Sequence, residues 1–307
     1  MMKLFLTGGT GYVGSAILEA FLKEGDQVTV LIRNKEKEKI LREKGAKVYV
    51  GDLKHPESFC EAAVQHDLFI HAGYEMSPEG SQVEKKLVET LLISAKDAAH
   101  PFSFIYTSGV WVLGNTGDHP VDESAPANHP AEIVAWRVQV EQMVLSKNEG
   151  SLTAAVIRPG IVYGGNKGIC SGFFASDLKD GKAVYVGDGK NRWSLVHRSD
   201  LARLYYLVAK KRASGIFHGV DGTPTSVLEM AKNASAASGR NGEVQALSLE
   251  KARETMGAFA DALALDQVVL AKRSSELGWN PVFKSFTANI QQLYKEFTSV
   301  EGKVAVS

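Results

Sequence analysis

Two hydrophobic periods alternate along the first half of the chain. Apolar runs of strand length recur at Lys3–Thr7, Gln27–Ile32, Lys47–Val50, 67–71, 102–106 and 152–158. Between them apolar residues return at helical spacing. Val13, Ile17, Leu18, Phe21 and Leu22 mark the first such helix, and Gly25 is placed to stop it. Asn34 is expected to cap a charged helix over 35–44 that Gly45 ends, and further helices are expected over 82–97 and 131–146. Repeated strand–helix–strand units of this length predict an α/β protein whose parallel sheet carries helices on both faces.

The second half is less regular. Glycine turns at Gly164-Gly165, Gly187-Asp188-Gly189 and Asp221-Gly222 break it into short strands (Ala183–Val186, 215–218, Val244–Leu247) and helices (226–237, 249–264, 286–297). Ser248 is a natural cap for the middle helix. The expected division is a regular first domain over 1–163 and a second lobe over 164–307, with some of its segments returning to the first domain's sheet.

Composition narrows the function classes. The chain has 307 residues, 44% of them hydrophobic, enough to bury a sizeable core. Lys plus Arg equals Asp plus Glu at 35 each, so the positive excess of a nucleic-acid or polybasic membrane binder is absent. No apolar run reaches the roughly 18 residues of a membrane span, and the N-terminal run is too short for a signal-peptide core. Cys60 and Cys170 form no C-x-x-C pair, and the eight histidines show no paired ligand spacing, so no metal site is expected. A cytoplasmic protein acting on a small molecule, with no nucleic-acid or membrane partner, is the expectation.

The sharpest local signal is Thr7-Gly8-Gly9-Thr10-Gly11-Tyr12-Val13-Gly14, between the first strand and the first helix. Gly8 would allow a tight turn, Gly11 a close approach of pyrophosphate to backbone, and Gly14 close packing of helix on strand. The helix N-terminus supplies N–H groups and a positive dipole end for the anion. At the end of the second strand, where a carboxylate would hold the 2′-hydroxyl of NAD, the chain reads Ile32-Arg33-Asn34-Lys35. Cations without an acid suit a 2′-phosphate, so NADP (NADPH) is expected in preference to NAD.

These residues, with several downstream, resemble the extended and atypical branch of the short-chain dehydrogenase/reductase superfamily, the NAD(P)-dependent epimerase/dehydratase-like proteins. Gly51-Asp52-Leu53 looks like the family's adenine-pocket turn, and Ile70-His71-Ala72-Gly73 like the strand end lying along the cofactor. Tyr106-Thr107-Ser108-Gly109 looks like the strand with the active-site serine. Arg158-Pro159-Gly160-Ile161-Val162-Tyr163-Gly164 is similar to the R-P-x-x-V-Y-G signature beside the nicotinamide, and the segments at 193–202 and 277–281 resemble landmarks of the C-terminal lobe. The resemblance implies a Rossmann-type doubly wound parallel sheet with a smaller C-terminal α/β substrate lobe. It implies cofactor contacts from Gly8, Thr10, Gly11, Tyr12, Val13, Arg33, Asn34, Asp52, Leu53, Ala72, Gly73, Thr107, Arg137, Pro159 and Val162. It also implies a homodimer through the helices at 82–97 and 131–146.

The departures from the family pattern bear on chemistry. Its Tyr-x-x-x-Lys pair falls on Ile133 and Arg137, and Gly109 takes the usual serine position with Ser108 one residue earlier. An arginine can grip a ribose or phosphate but cannot shuttle a proton, and an isoleucine does no acid–base chemistry. Ser108, Arg137 and Tyr163 are therefore the candidate catalytic residues. His71 and His197, inside strand-like segments, read as hydrogen-bonded core histidines, while Tyr74, Trp111, Trp136 and Trp193 lie in segments expected to border the cleft or to pack in the core. The expected function is an NADP(H)-dependent oxidoreductase acting on a small, partly apolar molecule without the Tyr/Lys relay. A non-catalytic NADP-binding sensor or scaffold, and a sugar-nucleotide epimerase or dehydratase, are the alternatives.

Overall fold

The computed structural model describes residues 1–96, 98, 100–147 and 150–301. Its elements run β1 (Lys3–Thr7), α1 (Tyr12–Lys23), β2 (Gln27–Ile32), α2 (Glu38–Glu43), β3 (Lys47–Val50), α3 (Cys60–Ala63), β4 (Leu68–His71), α4 (Gly80–Lys96), β5 (Phe102–Thr107), α5 (Trp136–Leu145) and β6 (Leu152–Pro159). They continue with β7 (Ile161–Tyr163), α6 (Ser171–Asp180), β8 (Ala183–Val186), β9 (Arg192–Trp193), β10 (Leu195–His197), α7 (Arg198–Lys210), β11 (Gly215–Gly219), β12 (Thr225–Ser226), α8 (Val227–Ala237) and β13 (Val244–Leu247). The last helices are α9 (Leu249–Met256), α10 (Ala258–Leu263), α11 (Lys272–Glu276) and α12 (Ile290–Glu301).

The chain divides into two compact units. The first holds 1–108, 136–158 and 202–217; the second holds 109–135, 159–201 and His218 onward. The units interleave more than a division near residue 163 implies. The second draws on 109–135 as well as on segments from the C-terminal half.

The central sheet has seven strands in the order β11-β6-β5-β4-β1-β2-β3, and the six from β6 to β3 run parallel. The order reverses between β1 and β4, and a doubly wound sheet opens a crevice at the carboxyl ends of the strands at such a reversal. Alternate residues of neighbouring strands share a face. Phe5, Phe69 and Phe104 line up across β1, β4 and β5, with ring centroids 5.8 Å apart for the first pair and 5.6 Å for the second. Two residues further on, His71 and Tyr106 continue that face, their rings 6.1 Å apart. Buried Leu87, Val88, Leu91, Leu92 and Ala95 of α4 pack in the same cluster as these phenylalanines.

In the second unit, β7 pairs with β10, β8 with β13 and β9 with β12. A separate apolar cluster there centres on Phe173, Phe174, Trp193, Met230, Phe286 and Phe297.

Three sequence expectations change. The charged helix over 35–44 is a 3-10 turn (Lys35–Lys37) followed by the short α2. Asn34, at the cap position, makes no cap bond and instead donates from Nδ2 to Glu36 Oε2 at 3.3 Å. The helix over 249–264 is two helices, because Gly257 adopts φ +56° and stops α9; Ser248 does cap α9, accepting from Lys251 N. The helix at 286–297 starts later, at Ile290, behind a 3-10 turn (Thr287–Asn289). The expected end of the 82–97 helix, Asp97, lies outside the described residues.

Candidate functional site

A cleft of about 330 Å³ lies in the first unit along the ends of β1, β2 and β4. Gly8, Thr10, Gly11, Arg33, Asn34, Leu53, Ala72 and Gly73 all line it, joined by Leu31, Ile32, Lys37, Gly51, Tyr74 and Glu75. The three glycines of the loop do different work. Gly8 has φ +73°, and a side chain there would strike the Ala72 carbonyl on β4's extension. At Gly14 a Cβ would strike the backbone of Gly8, so this glycine lets α1 sit on the loop. At Gly11 a Cβ would meet only Gly8 O, at 3.1 Å. Gly11 thus borders open cleft rather than protein. It is also the N-cap of α1, with no side chain occupying the cap, which leaves the helix's positive end turned to the cleft. Tyr12 and Val13 form the first residues of α1. Gly9, which the glycine spacing leaves out, is needed for packing: a Cβ would lie 2.7 Å from Val30 Cγ1.

At the β2 end, Arg33, Asn34 and Lys37 present two cations and an amide. An acid also stands here, supplied by the segment after β4. Glu75, 8% exposed, accepts from Arg33 NH1 at 3.1 Å and lies 3.5 Å from Lys54 Nζ. Reading only the end of β2 misses it. Asp52 turns its carboxylate to Lys54 N at 3.0 Å, so it shapes the turn beside Gly51 and Leu53.

Tyr74, which lines the cleft, stacks on Trp136 with centroids 5.7 Å apart. The Arg137 guanidinium lies 4.4 Å from the Trp136 centroid and 5.5 Å from that of Tyr74. Its NH1 donates to Tyr106 Oη and to Thr107 O, both at 2.9 Å, and lies 3.6 Å from Glu84 Oε1. Glu84, 2% exposed, also faces His71 Nε2 at 3.1 Å, and His71 Nδ1 is 2.6 Å from Thr7 Oγ1. Burial alone would raise the Glu84 carboxyl. His71, Arg137 and Tyr106 outweigh it and hold the group below the usual glutamate value. Burial pushes the Tyr106 phenol well above its ordinary range. Sequence reasoning passed over Glu84, yet it occupies the stripe position one turn before Leu87 and Val88, where an apolar residue belongs.

Ser108 Oγ is buried and has no hydrogen-bond partner among the described residues. A buried hydroxyl without a partner is uncommon and is available to a ligand oxygen. Thr107 Oγ1 is 2.7 Å from Tyr205 Oη of α7, so both its hydroxyl and its carbonyl are engaged within the protein. Arg158 forms a buried pair with Glu141, Nε to Oε1 at 3.0 Å, tying β6 to α5. Pro159 and Val162 belong to the second unit, where Val162 pairs with Val196.

Tyr163 requires a correction. It is fully buried in the second unit, and its hydroxyl lies 3.2 Å from Asp221 Oδ2 and 3.3 Å from Phe283 O. Burial, with Asp221 adding to it, raises the phenol far above its ordinary value. A hydroxyl so committed is a structural group, not a proton donor. His71 and His197 are buried and hydrogen-bonded, as a core reading expects; His197 Nδ1 is 2.7 Å from Ser199 Oγ. Trp111 packs on Phe259, and Trp193 Nε1 donates to Leu263 O.

Asp221 gives the second unit a pH dependence. Burial raises its carboxyl to about 7, against the lowering effect of the Thr223 amide and the Tyr163 hydroxyl. Because the folded value lies above the unfolded one, its contribution to stability is full in acid and is lost as pH rises through about 7. Asp221→Asn removes that loss. Thermal melts from about pH 5 to about pH 8 should fall less steeply for the variant, the difference reaching a few kcal/mol at most. Parallel curves would contradict the assignment.

Among the described residues no helix is long and apolar enough to cross a membrane, and no cluster of His, Cys, Asp and Glu could hold a metal ion. Comparison with known proteins places the chain. It is 29% identical over 294 residues to the uncharacterized protein YLL056C of Saccharomyces cerevisiae, covering 91% of this chain and 95% of that one. It is 25% identical over 264 residues to a 4-hydroxy-2-methyl-3-oxo-4-farnesyl-3,4-dihydroquinoline-1-oxide ketoreductase of Stigmatella aurantiaca, covering 82% and 78%. The human epimerase family protein SDR39U1, solved with NADPH, shares the fold with a TM-score of 0.79 at 18% identity over 96% and 99% of the two chains. Residues 4–218 match the NAD dependent epimerase/dehydratase family, and with its glycine loop and reversing parallel sheet the chain belongs to that family.

Proposed function

We propose that the protein binds NADP(H) in the cleft of its first unit and transfers hydride between the nicotinamide and a small, partly apolar carbonyl, enone or imine compound. The observation that carries this reading is Gly11: it borders open space at the uncapped N-terminus of α1, where a pyrophosphate gains backbone donors and the helix dipole. Arg33 and Lys37 suit a 2′-phosphate at one end. Ala72, Gly73, Tyr74, Ser108 and Arg137 suit the nicotinamide end. When bound, the cofactor supplies the hydride. Ser108 Oγ offers a hydrogen bond to a substrate oxygen, and Arg137 a fixed positive field held in place by Glu84, Tyr106 and Trp136. With Ile133 at the tyrosine position and Tyr163 locked to Asp221, electron-poor acceptors that need little acid catalysis are the favoured substrates. The ketoreductase of Stigmatella aurantiaca, whose named substrate joins a carbonyl to a farnesyl chain, supports a partly apolar substrate. Oxidation of NADPH in the presence of a panel of ketones, enones and iminium ions tests the reading. Turnover should be highest with the last two, and no turnover with any would favour the sensor.

Cofactor choice has its own test. Arg33 is expected to make NADPH bind about 10-fold tighter than NADH, or ~1.4 kcal/mol. Glu75 works against this by pairing with Arg33 and Lys54. Titrations should show the preference reduced in Arg33→Ala and enlarged in Glu75→Gln. A Glu75→Gln protein with diminished preference would place the ribose, not the phosphate, beside this acid.

A further inference from the structure

The segment between β4 and α4 carries two adjacent side chains that reach different neighbours. Glu75, 8% exposed, lies 3.1 Å from Arg33 NH1 and 3.5 Å from Lys54 Nζ. Tyr74 stacks on Trp136, and the Arg137 guanidinium lies 5.5 Å from the Tyr74 ring centroid. The rest of the segment is closely wound. Ser77 N donates to Glu75 O and Gly80 N to Ser77 O, both at 2.9 Å. A Cβ at Gly80 would strike both Glu75 O and Tyr74 Oη. One peptide unit thus joins the ion pair to the aromatic stack, and neither contact can shift far without the other.

We propose that Glu75 holds this segment as a strap, and that a phosphate on the 2′ position of bound adenosine releases it, so that Tyr74 leaves Trp136 and Arg137. The inference rests on the cofactor reading and adds a coupling within that site. The Arg33 side chain, 67% exposed, can swing to an incoming phosphate. Glu75 cannot stay behind unchanged. It would be left buried with Lys54 alone, beside a new dianion, and a buried carboxylate that loses a partner is costly. Its carboxylate reaches water only if the segment moves, and Tyr74 moves with it. Release uncovers the Trp136 ring and a flank of Arg137, so NADPH, and not NADH, prepares the place where the substrate is to react.

The experiment uses adenosine 2′,5′-bisphosphate, which carries the 2′-phosphate but no nicotinamide, with 5′-AMP as its control. Binding to the full chain is measured by calorimetry, and the Trp136 emission is taken as wild type minus Trp136→Phe. The bisphosphate should shift that emission and make it more accessible to acrylamide, and 5′-AMP should do neither. Glu75→Gln should show the shifted emission without any ligand. Tyr74→Ala removes the stack without touching Arg33. It should bind the bisphosphate about 3-fold tighter, because whatever favours the released strap favours the phosphate. In the Glu75→Gln background the same substitution should change that affinity little. Bisphosphate binding with Trp136 unchanged, an equal shift with 5′-AMP, wild-type emission in Glu75→Gln, or unaltered affinity in Tyr74→Ala would each overturn the strap and leave the cofactor reading standing. Failure of both the bisphosphate and NADPH to bind would sink the cofactor reading and the strap with it.

Discussion

Gly11→Val should abolish cofactor binding while leaving the fold intact. The Gly11 backbone is extended, at φ −84° and ψ 179°, a conformation valine adopts readily. Its Cβ would need only a small adjustment against Gly8 O, and the branches would then project into the cleft. The expected loss of NADPH affinity is ~100-fold or more, ~2.7 kcal/mol, with an unchanged melting temperature. Gly14→Val is the informative contrast. There a Cβ would lie 2.1 Å from Gly8 O, a clash where Gly11 has a 3.1 Å approach, so the variant should lower the melting temperature and lose binding only as a consequence. If Gly11→Val binds NADPH normally, the pyrophosphate does not lie on this loop.

Arg137→Ala should damage stability and turnover together. The guanidinium is one of the groups holding buried Glu84 ionised, with His71 and Tyr106. Removing one partner of a buried ion pair costs about 3–5 kcal/mol, and since His71 remains, about 2–3 kcal/mol is expected here. The pH dependence follows from the sign of the shift. Glu84's carboxyl is held below its ordinary value, so its contribution is present above the unfolded pKa and is lost as pH falls through the folded one. The deficit of Arg137→Ala relative to wild type should therefore be largest near neutrality and shrink in acid. Combining Glu84→Gln with Arg137→Met removes both charges and should recover stability without recovering turnover. Full activity in that double variant would make the network purely structural.

The fold was legible because β1 to β6 alternate with helices at clean periods, and because the glycine loop sits where a strand gives way to a helix. Ser226 and Ser248 announce their helices by capping them. α7 was not among the expected helices, although its buried Leu201, Leu204, Tyr205 and Val208 recur at helical spacing. The failures have local causes. Asn34 looks like a cap, but extended chain followed by a 3-10 turn gives it no helix amide to accept from. Gly257 splits one amphipathic pattern into two helices because it takes a positive φ. That Gly8, Gly11 and Arg33 line one cleft was readable, because they stand at the ends of β1 and β2, which pair side by side. Glu75 was not, because it reaches Arg33 only through the pairing of β2, β1 and β4. Tyr163 misled in the opposite direction: its signature marks its place in the chain, but its partners, Asp221 and Phe283, lie far downstream.

The most direct test of hydride transfer is a single-turnover reaction with NADPH deuterated at the nicotinamide C4. The enzyme and an iminium or activated enone acceptor are mixed with the labelled cofactor, and the product is analysed by mass spectrometry. The expected result is one deuterium on the former electrophilic carbon of the product, lost in Gly11→Val and retained in Tyr163→Phe. Tight cofactor binding with no deuterium in any product would contradict the enzyme reading and leave a cofactor-binding sensor.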